Sequence, residues 1–137
     1  MLPARSIASI TVLVLTVSVF GSASAAADDS LHQVRYTVSA ETPIDADIYY
    51  RDTDPVNFAA YSHNSYEFSP KAEVLVGPGQ TWVLDALLTD PYQWAMVVAT
   101  SGPGPLTPNF HCTLEVDGVV VKSAAGPKGA LCSLRPW

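Results

Sequence analysis

Four carboxylates lie within ten residues, at Asp45, Asp47, Asp52 and Asp54, and oxygen ligands at that density are what a hard cation such as calcium takes. Their spacing argues otherwise. A calcium loop of the EF-hand type needs a central glycine and a terminal glutamate, and both are missing; solvated strand ends and an Asx-type turn account for the same residues. His32, His63 and His111, with Cys112 and Cys132, supply the ligand types of a zinc site, but no pair has ligand spacing on one face. Ser62, His63 and Asp85 are the letters of a hydrolase triad without a G-x-S-x-G around the serine. Cys112 beside His111 has the ingredients of an activated thiol, yet neighbours on a strand point to opposite faces. These patterns give an expectation of no catalytic residue, no metal and no cofactor, with a metal-dependent module or small secreted enzyme built on Asp45–Asp54 as the alternative.

Aromatic residues are the surplus that points to binding. Tyr49 and Tyr50 are adjacent in a strand-like run, so one faces outward while the other packs inward. Trp82 is expected in the core, and Trp94 with Tyr92, and the terminal Trp137, at the surface. Tyr and Trp combine apolar area with a hydrogen-bonding tip, which is what recognition surfaces use. Tyr49, Tyr50, Tyr92 and Trp94 are therefore the expected partner-binding residues; core filling is the other use for such rings.

The elements that must position them read as strands. Phe110, Cys112, Leu114 and Val116 share one face at period two, Asp117-Gly118 is a type I′ hairpin signal, and Val119 to Ser123 returns. Val34–Ala40, Ala46–Tyr50, Ala72–Val76, Thr81–Leu88 and Gln93–Thr100 also read as strands, with a last one near Cys132. Val56–Ser69 is ambiguous between short edge strands and an aromatic-anchored loop. About seven short strands with turns rich in Pro, Gly and Asp, and no convincing helix, predict an all-β sandwich of antiparallel strands.

The N-terminus sets the compartment. Arg5, an apolar run from Ile7 to Phe20 and Ala23-Ser24-Ala25 form the pattern of a cleavable signal peptide over residues 1–25, leaving one domain over 26–137. The run is short for a membrane span, which takes roughly 20 apolar residues; an uncleaved signal anchor is the alternative. No cysteine follows the run, which excludes a lipid-modified N-terminus. Removing the leader takes away Arg5 and leaves a net charge of −7, with no cluster of Lys or Arg. That balance argues against nucleic acid and against anionic membrane surfaces. Two cysteines in an exported chain most simply pair, and Cys112–Cys132 would close a loop worth about 3 kcal/mol in the chain-entropy account.

Val34-Arg-Tyr36-Thr-Val38-Ser39 followed by Ala46-Asp47-Ile48-Tyr49-Tyr50-Arg51-Asp52, with Cys112-Thr-Leu114-Glu-Val116-Asp117-Gly118, Ser123 and Ala130-Leu131-Cys132, resembles the extracytoplasmic domain of the mycobacterial MmpS family. The resemblance covers roughly Val34 to Cys132. It implies an immunoglobulin-like β-sandwich closed by Cys112–Cys132, acting as a non-enzymatic accessory to a transporter. That family is held in the membrane by an N-terminal helix, whereas this N-terminus reads as cleavable, so only the disulfide pair carries over. The expectation is an exported, non-enzymatic module of the cell envelope or medium that recognises a protein or lipid-like partner. A secreted effector or inhibitor would need the same features, and membrane attachment would follow only if the signal segment stays in place.

Overall fold

The strict apolar–polar alternation of Val34–Ala40 recurs along the chain, and it builds strands because alternate side chains then point to one face. The computed structural model describes residues 30–136. Eight strands run in order: β1 (His32–Ala40), β2 (Ile44–Tyr50), β3 (Lys71–Val76), β4 (Trp82–Leu88), β5 (Met96–Thr100), β6 (Phe110–Val116), β7 (Val119–Gly126) and β8 (Gly129–Ser133). Two short helices interrupt them, α1 (Phe58–His63) and α2 (Pro91–Trp94). The first sheet has the order β4-β1-β6-β7 and the second β3-β2-β5-β8, with antiparallel pairing throughout. The all-β sandwich expected from the pattern is the fold found, with eight strands among the described residues rather than about seven.

Only β2–β3 and β6–β7 are joined within one sheet; the other connections cross between layers. Asp117 and Gly118 take φ of 50° and 81°, the left-handed pair that a type I′ hairpin demands. Where β7 crosses to β8, Gly126 lies against the carbonyl oxygen of Gly129, so closely that a Cβ there would collide with it. The core is what the two inner faces bury: Val34, Tyr36 and Val38 on β1, Ile48 on β2, Val97 on β5, and Phe110 and Leu114 on β6. Cys112 of β6 and Cys132 of β8 are disulfide-bonded across the layers, with Cα atoms 6.1 Å apart.

The Tyr36 side chain brings a polar group into that core. The Tyr36 hydroxyl donates to the Arg51 carbonyl at 2.6 Å and accepts from the Met96 N–H at 3.2 Å, so burying the phenol leaves no orphan. Burial is the main reason its pKa is raised far above the ordinary tyrosine value.

Helix replaces the expectation in two places. Within Val56–Ser69, Asn57 caps α1, its side-chain oxygen accepting from the Ala60 N–H at 2.8 Å. Near Gln93 the expected strand starts late, because Asp90 caps α2 and Pro91 occupies its first turn; β5 begins at Met96. No helix among the described residues is long and apolar enough to cross a membrane. The expected signal peptide lies outside the described residues.

Candidate functional site

On β2 the core takes Ala46, Ile48 and Tyr50, and on β5 it takes Val97 and Ala99. Tyr49, Met96 and Val98 must therefore face out of the second sheet. Cross-strand register sets Lys71, Tyr49, Val98 and Leu131 in one row across all four strands. The next row carries Glu73, Asp47 and Thr100, so this face is apolar at one end and charged at the other. Lys71 spans the boundary, its Nζ at 2.8 Å from Glu73 and 3.6 Å from Asp47. That contact holds the Glu73 carboxyl below its ordinary range, the hydrogen bond from Lys71 being the main cause.

Apolar side chains on the outside of central strands need a cover, and residues 51–70 supply one. The post that holds it is Arg51, fully buried outside the main core. Its guanidinium donates to the Phe68 carbonyl at 3.2 Å, the Trp94 carbonyl at 3.1 Å and the Ser69 hydroxyl at 3.5 Å, with the Met96 sulfur 4.0 Å away. It also lies 4.5 Å over the Tyr61 ring and 5.6 Å over that of Trp94. Arg135 repeats the motif at 4.7 Å over Phe58 and 5.6 Å over Trp94. Rings and cations interleave into a satellite core on the outside of the sheet. Desolvation lowers the Arg51 pKa, and the contacts with Tyr61 work against that loss of charge.

The cover leaves an open groove of about 310 Å³ beside it. Tyr49, Met96 and Val98 line it from the sheet; Tyr61, Ser65, Tyr66 and Ser69 line it from the overlying segment. Tyr66 is 87% exposed and Leu131, in the same row as Tyr49, is 41% exposed. A larger hollow of about 500 Å³ touches the first sheet at Arg35, Asp85 and Glu115. Arg35 donates twice to Asp85 there, at 2.7 and 3.1 Å, and the other charged residues of the lining, Asp52 and Glu115, are both acidic.

Of the residues expected to bind, Tyr49 lies in the groove. Tyr50 packs inward on Trp82, ring centroids 5.5 Å apart. Tyr92 is exposed on α2 but does not line the groove. Trp94 departs from the expectation: it is buried at 4% exposure, because its ring is wanted by Arg51, Arg135 and Tyr61. Trp137 lies outside the described residues. Tyr61 and Tyr66 fall in the segment read as short edge strands or an aromatic-anchored loop, and were not expected to bind; Arg51 was not expected at a site either, since nothing local sets it apart from a strand-end charge.

The candidate chemistries disperse. The Asp54 carboxylate accepts from the Thr89 and Asp90 N–H groups at 2.7 and 2.8 Å, Asp52 accepts from the Thr53 hydroxyl, and Asp47 meets Lys71. Ser62 donates to the Ala59 carbonyl while Asp85 is held by Arg35, so the triad letters do not assemble. His32 contacts Asp117 at 2.7 Å and His111 contacts Glu41 at 3.4 Å. The His32 contact is the main reason the Asp117 pKa is lowered. Among the described residues, no three His, Cys, Asp or Glu side chains gather where a metal could sit.

Two four-stranded sheets, a disulfide between them and a roofed outer face define a small disulfide-closed β-sandwich, a bond type consistent with an extracytoplasmic location. The chain belongs to the family described as the Rv2576c beta-sandwich domain, whose model matches residues 36–132. Similar proteins are the uncharacterized protein Rv2576c of Mycobacterium tuberculosis (strain ATCC 25618 / H37Rv) and the uncharacterized protein Mb2606c of Mycobacterium bovis (strain ATCC BAA-935 / AF2122/97). Each is 41% identical over 113 residues, covering 82% of this chain and 73% of the relative. This corrects the resemblance to the MmpS family: the matched span takes in nearly all the residues that carried it and assigns them elsewhere. The quoted motifs are alternation, a hairpin turn and a cross-layer disulfide, which many sandwiches need for physical reasons.

Proposed function

We propose that this domain is an exported binding module of the cell envelope that makes and breaks no covalent bond. It recognises a protein or lipid-like partner through the outer face of the second sheet. The observation that carries the reading is the groove at Tyr49, Tyr61 and Tyr66, where aromatic and aliphatic side chains line an opening at the edge of the part of the face that its own chain roofs. Exposed aromatic area beside hydroxyls is the chemistry of recognition rather than of bond cleavage. The cross-layer disulfide and the leader-like N-terminus support export.

Photo-crosslinking in cells tests it. A photoreactive residue at Leu131, beside the groove row, is expected to give a discrete adduct that the Tyr49→Ser/Tyr66→Ser variant loses. The same residue placed at Thr113, on the outside of the first sheet, should give none. Equal labelling from both positions, or no adduct from either, rules out this face as the binding surface.

A further inference from the structure

We propose that the groove takes a free single-chain amphiphile with a carboxylate head, the Ser69 hydroxyl meeting the head and Tyr49, Tyr66, Met96 and Val98 lining the tail. This rests on the reading that the groove is the binding surface, and it names the ligand class.

The argument starts from charge. No residue lining the groove is acidic or basic, but the charge immediately behind it is positive: the buried Arg51 guanidinium, 3.5 Å from the Ser69 hydroxyl oxygen and 4.5 Å from the Tyr61 ring centroid. A hydroxyl that accepts from a guanidinium keeps its own hydrogen to donate, and the cation behind polarises it toward an anion. In a chain of net charge −6 this sets one buried cation directly behind an uncharged lining. Of the acidic neighbours, Asp47 and Glu73 are engaged by Lys71 and Glu67 accepts from the Asn64 amide at 3.3 Å, which lessens their repulsion of a negative head.

The same facts exclude the obvious rival. Three tyrosines could cage a quaternary ammonium. However, Arg51 already stands over Tyr61 and would repel a second cation. Size narrows the class further. A groove of about 310 Å³ is at the small end of ligand sites and suits one chain rather than a two-chain lipid.

Calorimetry on the disulfide-closed protein decides it, using dodecanoate, dodecyl maltoside and dodecyltrimethylammonium below their micelle concentrations. Dodecanoate is expected to bind at least about tenfold more tightly than the cation of the same chain length. Ser69→Ala should shrink that head-group preference while keeping affinity for the chain, an effect that a merely structural serine would not produce. Tyr49→Ser/Tyr66→Ser should lose all three ligands, and Thr113→Ala none. Equal affinity for the three heads, or no binding of dodecanoate, overturns the proposal. Binding to anionic phospholipid vesicles in preference to free dodecanoate overturns it as well, by moving the source to a membrane surface. Failure here with a surviving Leu131 crosslink would leave the binding face standing and remove only the ligand class.

Discussion

The two outer faces of the sandwich obey different rules. On the first sheet the central strands show solvent only polar side chains, Gln33, Arg35, Thr37 and Ser39 from β1 and His111, Thr113 and Glu115 from β6. On the second the central strands put out Tyr49, Met96 and Val98 beside the polar Asp45, Asp47 and Thr100, and the chain spends residues 51–70 covering part of the apolar end. Each sheet buries its inner face on the same core, so inner packing does not explain the difference. An antiparallel sheet can leave one face wet; where it instead builds a roof and leaves a gap, the gap is the place to look for recognition.

Removing the post tests this contrast most severely. Arg51→Met strips the guanidinium from two backbone carbonyls and from the stacked rings of Tyr61 and Trp94. Breaking a buried charged network costs about 3 to 5 kcal/mol, and chemical denaturation should show a loss of that order. Trp94 emission should shift to the red as the roof loosens. Arg35→Met, the matching change on the other face, should do far less. Equal losses at the two arginines would dissolve the contrast between the faces.

The disulfide belongs to both faces, since it ties β6 of one sheet to β8 of the other. Replacing both cysteines by alanine should cost about 3 kcal/mol in the chain-entropy account. Because the bond spans the layers, a single cooperative transition should move as a whole. A biphasic melt, with one sheet lost before the other, would show that the faces are separately stable units.

Tyr36 connects the core to the roof by holding the Arg51 carbonyl and the Met96 N–H. Tyr36→Phe orphans both and should cost about 1 to 3 kcal/mol at neutral pH. The pH dependence has a definite sign. Burial raises this phenol, so below the ordinary tyrosine value of about 10 both folded and unfolded chains keep the proton and the contribution is whole. Above about pH 10 the unfolded phenol ionises while the folded one does not. Stability should then fall by up to about 1.4 kcal/mol per pH unit. Denaturation series at rising pH should show a shallower alkaline decline for Tyr36→Phe than for the parent; identical slopes would mean that Tyr36 is not the group responsible.

How much of this was legible in the sequence follows from the same contrast. Val34–Ala40 and Phe110–Val116 alternate cleanly, and both were readable because one rule, core in and water out, fixes every position. Asp117-Gly118 was readable because its backbone angles leave little other choice of residue. Met96-Val97-Val98-Ala99 breaks alternation, which signals cover on both faces but not what the cover is. That information is long-range: Arg51 reads as a strand-end charge until Phe68, Ser69 and Trp94 are brought to it. Trp94 was expected outside for the same reason, since nothing local shows that two arginines converge on its ring. The resemblance to another family used only the parts that sandwiches share.

The smallest effect belongs to the wet face and sharpens the comparison from its other side. Arg35 donates twice to Asp85, a two-pronged pair fully in solvent. The hydrogen bond from Arg35 lowers the Asp85 pKa, so the pair's contribution is present above the ordinary aspartate range and lost as pH falls through the depressed value. Exposure screens it, because water and salt compete for both groups. Arg35→Ala should therefore return the Asp85 carboxylate toward its ordinary titration range, followed by NMR, while barely moving the denaturation midpoint. Molar salt should remove even that small difference. A midpoint shift approaching that of Arg51→Met, persisting in high salt, would mean that this face too is held by a pair shielded from solvent, and the asymmetry that singles out the groove would be lost.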